Sequence, residues 1–332
     1  MQIPFFEPKH FNGAVELNHL GIVECQGADA CHFLHQQLTQ ELMELPPGSS
    51  TMAGFCNAKG RLQASMVVVK DSNERLYLIM KKDLLERTLK RLSMFVLRAK
   101  VKLMDVSAAY SLIGAMGEHE LNQSHSNGDL KIRAPLQAVL GLSRTLLALP
   151  QTSDQNKLHA LFNEGSMTQE KWLFCEILSG VAWVDEKTFE HFVPQMLNFE
   201  STGAVSFKKG CYPGQEVVAR SQFRGTLKRR TTIVFSKEPL HVGMEIFSAL
   251  HATESCAEIL QVSQFEGFHW ALACFQIDSL MRAIDPKSRP DMFNDFLKKE
   301  SFWTHCFGLG AGMNELVDLG FYPLPYALLE DI

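Results

Sequence analysis

A helix predicted over residues 83–98, set between two runs of extended chain, constrains this fold more than any other feature of the sequence. Leu84, Leu85, Leu89, Leu92 and Phe95 recur at the three- and four-residue spacing that lines up one apolar face, with Glu86 and Lys90 at i,i+4 outside. Ahead of it, strand patterns fall at 14–26, 51–56, 62–70 and 75–80. Beyond it they return at 99–105, 109–115, 136–141 and 144–149. An earlier helix opens at Gly27-Ala28-Asp29, with Asp29 as its cap and Phe33, Leu34, Leu38 and Leu42 on one face; Pro46-Pro47-Gly48 ends that unit. Two strand sets that read as antiparallel, with helices between them, predict α+β layers and not a parallel doubly wound sheet. No G-x-G-x-x-G run follows a strand, so there is no dinucleotide fingerprint.

Residues 154–180 read as helical. From 229 the pattern changes. Strands at 229–235, 244–248, 255–264 and 269–276, with turns between them, predict a small C-terminal barrel. A short amphipathic helix is expected over 291–300, carrying Met292, Phe293, Phe296 and Leu297. The glycine-rich run 308–312 reads as a flexible loop. No strand is predicted before it and no Lys-Ser/Thr follows, so it does not read as a phosphate cradle.

A length of 332 residues, 46% of them hydrophobic and 21% charged, fits a globular chain of two or three domains with a real core. The first residues carry neither a basic leader with a long apolar run nor an Arg-rich transit pattern, and no run is long enough to cross a bilayer. A cytoplasmic protein without a membrane partner is expected. Eight cysteines form no C-x-x-C pair, which argues against a structural zinc site and against a Cys₄ cluster built along one loop. Cys25, Cys31, His32 and His35 lie close in sequence but lack a second ligand pair at matching spacing. They read as a helical set facing water and core, so no metal site is assigned.

One cysteine stands apart. Cys211 follows Lys208-Lys209-Gly210 and precedes Tyr212-Pro213-Gly214. The flanking glycines permit backbone angles that a Cβ forbids and Pro213 fixes its own φ, so a tight, stiff turn is expected. Net charge is −5 overall, yet residues 208–230 hold seven Lys/Arg and one acid, Glu216. That leaves 25 basic against 36 acidic residues elsewhere. A field of this sign attracts anions, and Lys208 or Lys209 beside the sulfur would favour thiolate. A reactive thiolate can hold a soft metal, a sulfur atom or a cluster edge, though a lone cysteine cannot hold a four-ligand cluster. Read by residues alone, the pattern fits equally a structural turn followed by a solvated basic strand.

The run Lys-Gly-Cys-Tyr-x-Gly-Gln-Glu-x-Val-Ala-Arg over 209–220 resembles the signature of the YgfZ-type folate-binding family. That family is related to the T-protein of the glycine cleavage system and to a mitochondrial iron–sulfur assembly factor. The likeness extends through Pro194-Gln195-Met196-Leu197-Asn198-Phe199-Glu200, Gly203-Ala204-Val205-Ser206-Phe207, Phe223-Arg224-Gly225-Thr226-Leu227-Lys228-Arg229 and the terminal Pro323-Leu324-Pro325-Tyr326. It covers residues 15–275 and the tail, with part of 285–312 reading as an insertion. The resemblance implies three domains in a ring around a central channel that holds folate. Two would be ferredoxin-like α+β units, one from 1–46 with 151–235 and one from 47–150; residues 236–332 would form the barrel.

The same resemblance implies site residues. Trp172 matches a tryptophan at the family's folate site, and Glu176, at i,i+4 on a helix over 168–179, matches the pterin-facing glutamate of T-proteins. An indole stacks on a flat ring and a carboxylate takes two hydrogen bonds from the pterin edge. A second aromatic of the family falls at Leu20 and is missing here. Lys59 and Arg61 resemble the family's Lys-Gly-Arg turn and would pair with glutamyl carboxylates, or else end a solvated hairpin. The essential T-protein aspartate falls at Ala64 or Ser65. Cys211, assisted by Lys209 and Arg220, would carry the thiol chemistry, with Lys208, Gly210, Tyr212, Gly214, Gln215 and Glu216 completing the motif. The implied function is a tetrahydrofolate-binding accessory factor for the assembly or repair of iron–sulfur enzymes, including those that methylthiolate tRNA. Its partners would be folate and iron–sulfur enzymes or assembly proteins. Two other readings stay open: a folate-dependent aminomethyltransferase, which the absent aspartate disfavours, and a tRNA binder using the 208–230 patch with Phe223 stacking a base.

Overall fold

The computed structural model describes residues 6–117, 132–151, 167–225, 227–285, 287, 293, 295, 301–310 and 315–329. Its first layer is a five-stranded antiparallel sheet in the order β3 (Ser49–Cys56), β4 (Leu62–Ser72), β5 (Arg75–Lys81), β2 (Leu20–Gln26), β6 (Lys102–Asp105). Helix α1 (Ala30–His35) follows β2, and α2 (Lys82–Ser93) joins β5 to β6. Without the edge strand β3 this is a split βαβ unit, the ferredoxin-like arrangement. β4 shows why it is central: its first nine residues are buried, so both of its faces are covered. α2 lays Leu84, Leu85, Thr88 and Leu92 on the sheet. It stops at Ser93, so Phe95, expected inward, is exposed instead.

The second sheet runs β1 (Gly13–Glu16), β7 (Tyr110–Met116), β9 (Leu142–Pro150), β8 (Ile132–Val139), again antiparallel throughout. Helix α3 (Gln169–Leu178) follows it, with Thr168 as its cap accepting from the Lys171 N–H at 3.2 Å. Most of the helix expected before residue 167 lies outside the described residues. The predicted strand 14–26 is two strands in two sheets, broken at Leu17–His19. The split at 47 and 151 also fails for the sheets. Residues 47–150 give strands to both, and 151–235 give none to either among the described residues.

The third layer is a closed six-stranded barrel, β10 (Arg229–Ser236), β13 (Phe268–Gln276), β12 (His251–Phe265), β11 (Glu245–Ser248), β14 (Phe302–Leu309), β15 (Val317–Tyr322). Closure removes the exposed edges an open sheet would leave. β14 falls inside the stretch read as an insertion and is the strand that links β11 to β15. Gly308 and Leu309, read as loop, are its last residues. The helix expected over 291–300 lies mostly outside the described residues. The barrel has its own core, with Phe275, Phe307 and Phe321 buried together. Its outer face joins the core of the two sheets through Phe235 and Trp270, stacked at 4.5 Å. α3 packs on β12 and β13 of the barrel and on β1 of the second sheet, so residues on this helix sit where all three layers approach. Two further helices, α4 (Gln215–Phe223) and α5 (Ile277–Ile284), complete the described fold.

Candidate functional site

The Cys211 bend is clamped from two sides. Gly214, just before α4, has φ +81°, and a Cβ there would stand 2.4 Å from the Asn57 carbonyl and 2.6 Å from the Gly60 Cα. The hairpin tip between β3 and β4, which carries Lys59 and Arg61, therefore seats directly against the start of α4. On the other side the Lys209 ammonium, buried, donates to the carbonyls of His35 and of Leu38, the latter at 2.7 Å. These are groups at and just past the C-terminal end of α1, where a cation is favoured. The same ammonium lies 4.8 Å from the centre of the buried Tyr212 ring. Burial lowers the Lys209 amine to about 8, against the opposing pull of Glu41 and Cys211. Lys209 is thus an anchor for the bend rather than a free cation beside the sulfur.

Cys211 is the exposed member of the eight cysteines. Burial pushes the thiols of Cys25, Cys175, Cys256 and Cys274 up to about 12 and raises Cys56 and half-buried Cys306 as well. Those sulfurs stay protonated near neutral pH. Cys211 opens on a cleft of about 430 Å³ shared with His32, His35, Gln36, Tyr212 and Pro213. The basic run is less uniform than its sequence. Arg230 is buried and paired with Glu200, while Lys208, Arg220, Arg224 and Lys228 are exposed. Arg220 sits in the last turn of α4.

The second constellation lies on α3. Trp172 is fully buried, and a Cβ on Gly114 of β7 would stand 2.7 Å from three of its ring atoms, so the indole lies on the sheet where a side chain is missing. Arg144 of β9 holds its guanidinium 4.5 Å from the ring centre. The Trp172 N–H donates to Glu176 Oε1 at 3.1 Å, and Gln261 of the barrel donates to Oε2 at 3.1 Å. His19 approaches Oε1 at 3.6 Å and Lys81 approaches Oε2 at 3.8 Å. Burial alone would raise the Glu176 carboxyl; Lys81, His19 and Arg144 outweigh it and hold it down at about 2. Trp172 and Glu176 do meet, as their spacing implied. Neither is open to a ligand, for the indole is covered and both carboxylate oxygens already have donors.

The wall that is open lies one layer out. A cavity of about 220 Å³ is bounded by Thr51, Met52 and Val67 of the first sheet, Leu136, Gln137 and Arg144 of the second, and Trp183 beyond α3. Trp183 is a flat apolar surface there. Arg144 lines this cavity, and among the described residues its buried Nε has no hydrogen-bond partner. Leu20, where the second aromatic was missing, is buried and pairs with Lys81 across β2 and β5. Lys59 and Arg61 take no part in this wall; Arg61 donates to the His191 carbonyl. Ser65 accepts from the Val184 N–H at 2.8 Å beside a fully buried Ala64. Sequence reasoning missed His19, Lys81, Arg144, Trp183 and Gln261. Arg144 had a readable signal: it shares strand parity with Leu146 and Ala148, which puts it on the buried face.

Comparison with known proteins agrees with this architecture. A family model described as the GCVT N-terminal domain matches residues 9–122. A crystal structure of glycine cleavage system aminomethyltransferase T from Bartonella henselae superposes with a TM-score of 0.63 at 11% identity, covering 97% of this chain and 88% of that one, a likeness of fold. An uncharacterised protein of Haemophilus influenzae is 30% identical over 77% of this chain and 86% of its own length. The tRNA-modifying protein YgfZ of Photobacterium profundum is 30% identical over 66% of this chain and 69% of its own. That of Aliivibrio fischeri is 30% identical over 64% and 68%. The chain belongs to the YgfZ family. The T-protein-like frame of this chain is the pair of sheets closed by the barrel, and the 209–220 run forms the bend held by Lys209 and Gly214 together with α4. Among the described residues no helix is long and apolar enough to cross a membrane, and no group of three or more His, Cys, Asp or Glu side chains is placed to hold a metal ion.

Proposed function

We propose that this protein serves tRNA modification as a folate-binding accessory factor to iron–sulfur enzymes, with Cys211 as its working thiol. The observation that carries the reading is the exposure of Cys211 on a clamped bend while the other cysteines are buried or half-buried, in a YgfZ-family chain whose Aliivibrio and Photobacterium relatives carry the name tRNA-modifying protein. An exposed thiol on a rigid support can meet a sulfur atom carried by another protein.

The central cavity fits a flat ring better than a whole folate. Its volume of about 220 Å³ is below the roughly 300–1,000 Å³ of sites for drug-sized ligands. Trp183 would stack on the ring, and the unpartnered Arg144 Nε would donate to one of its oxygens. Glu176 would act from behind, holding Arg144 and Lys81 by charge while Trp172 supports the guanidinium. A reduced folate, when bound, supplies a one-carbon carrier. Ser65, whose hydroxyl is engaged by Val184, offers no carboxylate for transfer of that carbon, so the accessory role is favoured over an aminomethyltransferase.

The test is complementation of a strain lacking the gene, read as methylthiolated nucleosides in tRNA. Wild-type protein is expected to restore them and Cys211→Ala to fail while still binding tetrahydrofolate. Full restoration by Cys211→Ala would refute the reading. A second reading rests on the exposed Lys208, Arg220, Arg224 and Lys228 near Phe223, itself 52% exposed. Such a surface would hold tRNA phosphates, and its affinity for tRNA would fall steeply with salt.

A further inference from the structure

His35 and Glu41 stand beside Cys211 and take no part in the reading above. Glu41 Oε1 lies 3.0 Å from His35 Nδ1 and is itself fixed by the Met43 N–H at 2.8 Å. A carboxylate only accepts, so Nδ1 carries the proton and Nε2 keeps a lone pair. The Leu42 N–H approaches the same Nδ1 at 3.4 Å, too long to compete. Nε2 points at the bend: a Cβ on Gly210 would stand 3.7 Å from it. His35 and Cys211 line the same cleft. Lys209, bonded to the His35 carbonyl, fixes the distance between helix and bend. An acceptor oriented by a carboxylate and sharing a cleft with a thiol one residue from its Nε2 contact is the arrangement that can activate a nucleophilic cysteine.

We propose that His35, oriented by Glu41, is the proton acceptor for Cys211 when that thiol attacks a sulfur–sulfur bond presented in the cleft. This rests on Cys211 being the working thiol. In the step, the Cys211 S–H proton passes to His35 Nε2 and Sγ bonds to one sulfur of a disulfide or persulfide. The old S–S bond breaks, and the departing sulfur leaves with the electron pair and takes the proton back from Nε2. Electrons balance within the exchange, since the incoming S–S bond is the oxidant. The charged groups facing His35 are Glu41 from the following loop, Lys209 from the bend, and His32 on α1, with Cys211 across the cleft. Burial first, then Lys209, lowers His35 below its usual value, so the ring is neutral near pH 7 and able to accept.

The experiment follows the rate at which Cys211 reacts with an aromatic disulfide and with iodoacetamide from pH 5 to 10, with Cys211→Ser as the blank. In wild type the rate is expected to climb with deprotonation of His35 and to level off by about pH 7. In His35→Gln it is expected to fall at least about tenfold at pH 7 and to go on climbing above that pH without the wild-type plateau. Glu41→Gln removes the group that raises His35, so its inflection moves to lower pH. A wild-type profile with a single inflection near the ordinary thiol value overturns the proposal whether or not any variant folds. So does an unchanged profile in a folded His35→Gln. Complementation by Cys211→Ala would sink the role of the thiol without altering this profile, so the two failures are distinguishable.

Discussion

Lys81, the last residue of β5, places its ammonium 3.8 Å from Glu176 Oε2 on α3, a charge contact that ties the first sheet to the helix beneath the central cavity. Glu176 is the acidic partner of Lys81, His19 and Arg144 at once. Removing its charge leaves buried cations without compensation, which is the expensive way to break a buried pair.

The pH dependence has a definite sign. Burial opposes ionisation of Glu176, but the surrounding cations win and hold the folded value at about 2 against an ordinary 4.5. A depressed carboxyl stabilises when ionised. Its contribution is complete above about 4.5 and is lost as pH falls toward 2. Glu176→Gln should lower stability at pH 7 by about 3 kcal/mol. It should also flatten the loss of stability between pH 4.5 and 2 relative to wild type. Urea unfolding at a series of pH values measures both. Parallel acid limbs for the two proteins would show that Glu176 is not the group responsible.

Ligand binding can be assigned to a tryptophan. Trp172 is sealed between the sheet at Gly114 and the Arg144 guanidinium, whereas Trp183 lines the cavity. Tetrahydrofolate should therefore quench mainly Trp183. Titration should give a signal in Trp172→Phe close to that of wild type and a much smaller one in Trp183→Phe. Arg144→Met should weaken binding about tenfold or more, the worth of one charge-assisted hydrogen bond. Loss of the signal in Trp172→Phe with retention in Trp183→Phe would reverse this assignment.

What was legible in the sequence was local. The apolar run of β4, the one-sided face of α2 and the spacing of the barrel strands each follow from side-chain period; the strands form close to their expected bounds, while α2 ends more than a turn before its expected end. The period does not say which strand a strand will meet. So the break at Leu17–His19, which sends β1 and β2 to different sheets, leaves no trace in the period, and β14 falls within the stretch 285–312, part of which reads as an insertion. The site divides the same way. The spacing of Trp172 and Glu176 placed them in contact, but their burial depends on Gly114, Arg144 and Gln261, brought in by other strands. His35 meets the Cys211 bend across some 175 residues of chain, a distance over which no periodicity speaks.

Gly214 is where the bend and the β3–β4 hairpin touch. At φ +81°, alanine is strained whatever the space, and its Cβ would meet backbone atoms of Asn57 and Gly60 that cannot swing aside. Gly214→Ala should lower stability by about 2 kcal/mol or more. It should also loosen the bend, so that proteolysis near residue 211 speeds up under native conditions. A variant with wild-type melting temperature and cleavage rate would show that the contact is not needed.

Lys209 predicts an effect at the alkaline end. Burial lowers its amine to about 8 from an ordinary 10.5. Between those values the unfolded chain holds a proton that the folded protein has released, so stability from this group rises with pH across the window. The charged ammonium is thus a burden of the fold below pH 8, borne because it bridges the His35 and Leu38 carbonyls and fixes the Cys211 bend. Lys209→Met keeps the length of the side chain and removes the titration. Its stability relative to wild type should fall as pH rises from 8 to 10.5, whatever the difference at pH 7, where lost hydrogen bonds and relieved desolvation oppose each other. Denaturant unfolding of both proteins at pH 7, 8, 9 and 10 gives the comparison. Parallel curves would mean that the Lys209 ammonium is better solvated than its packing against Tyr212 implies.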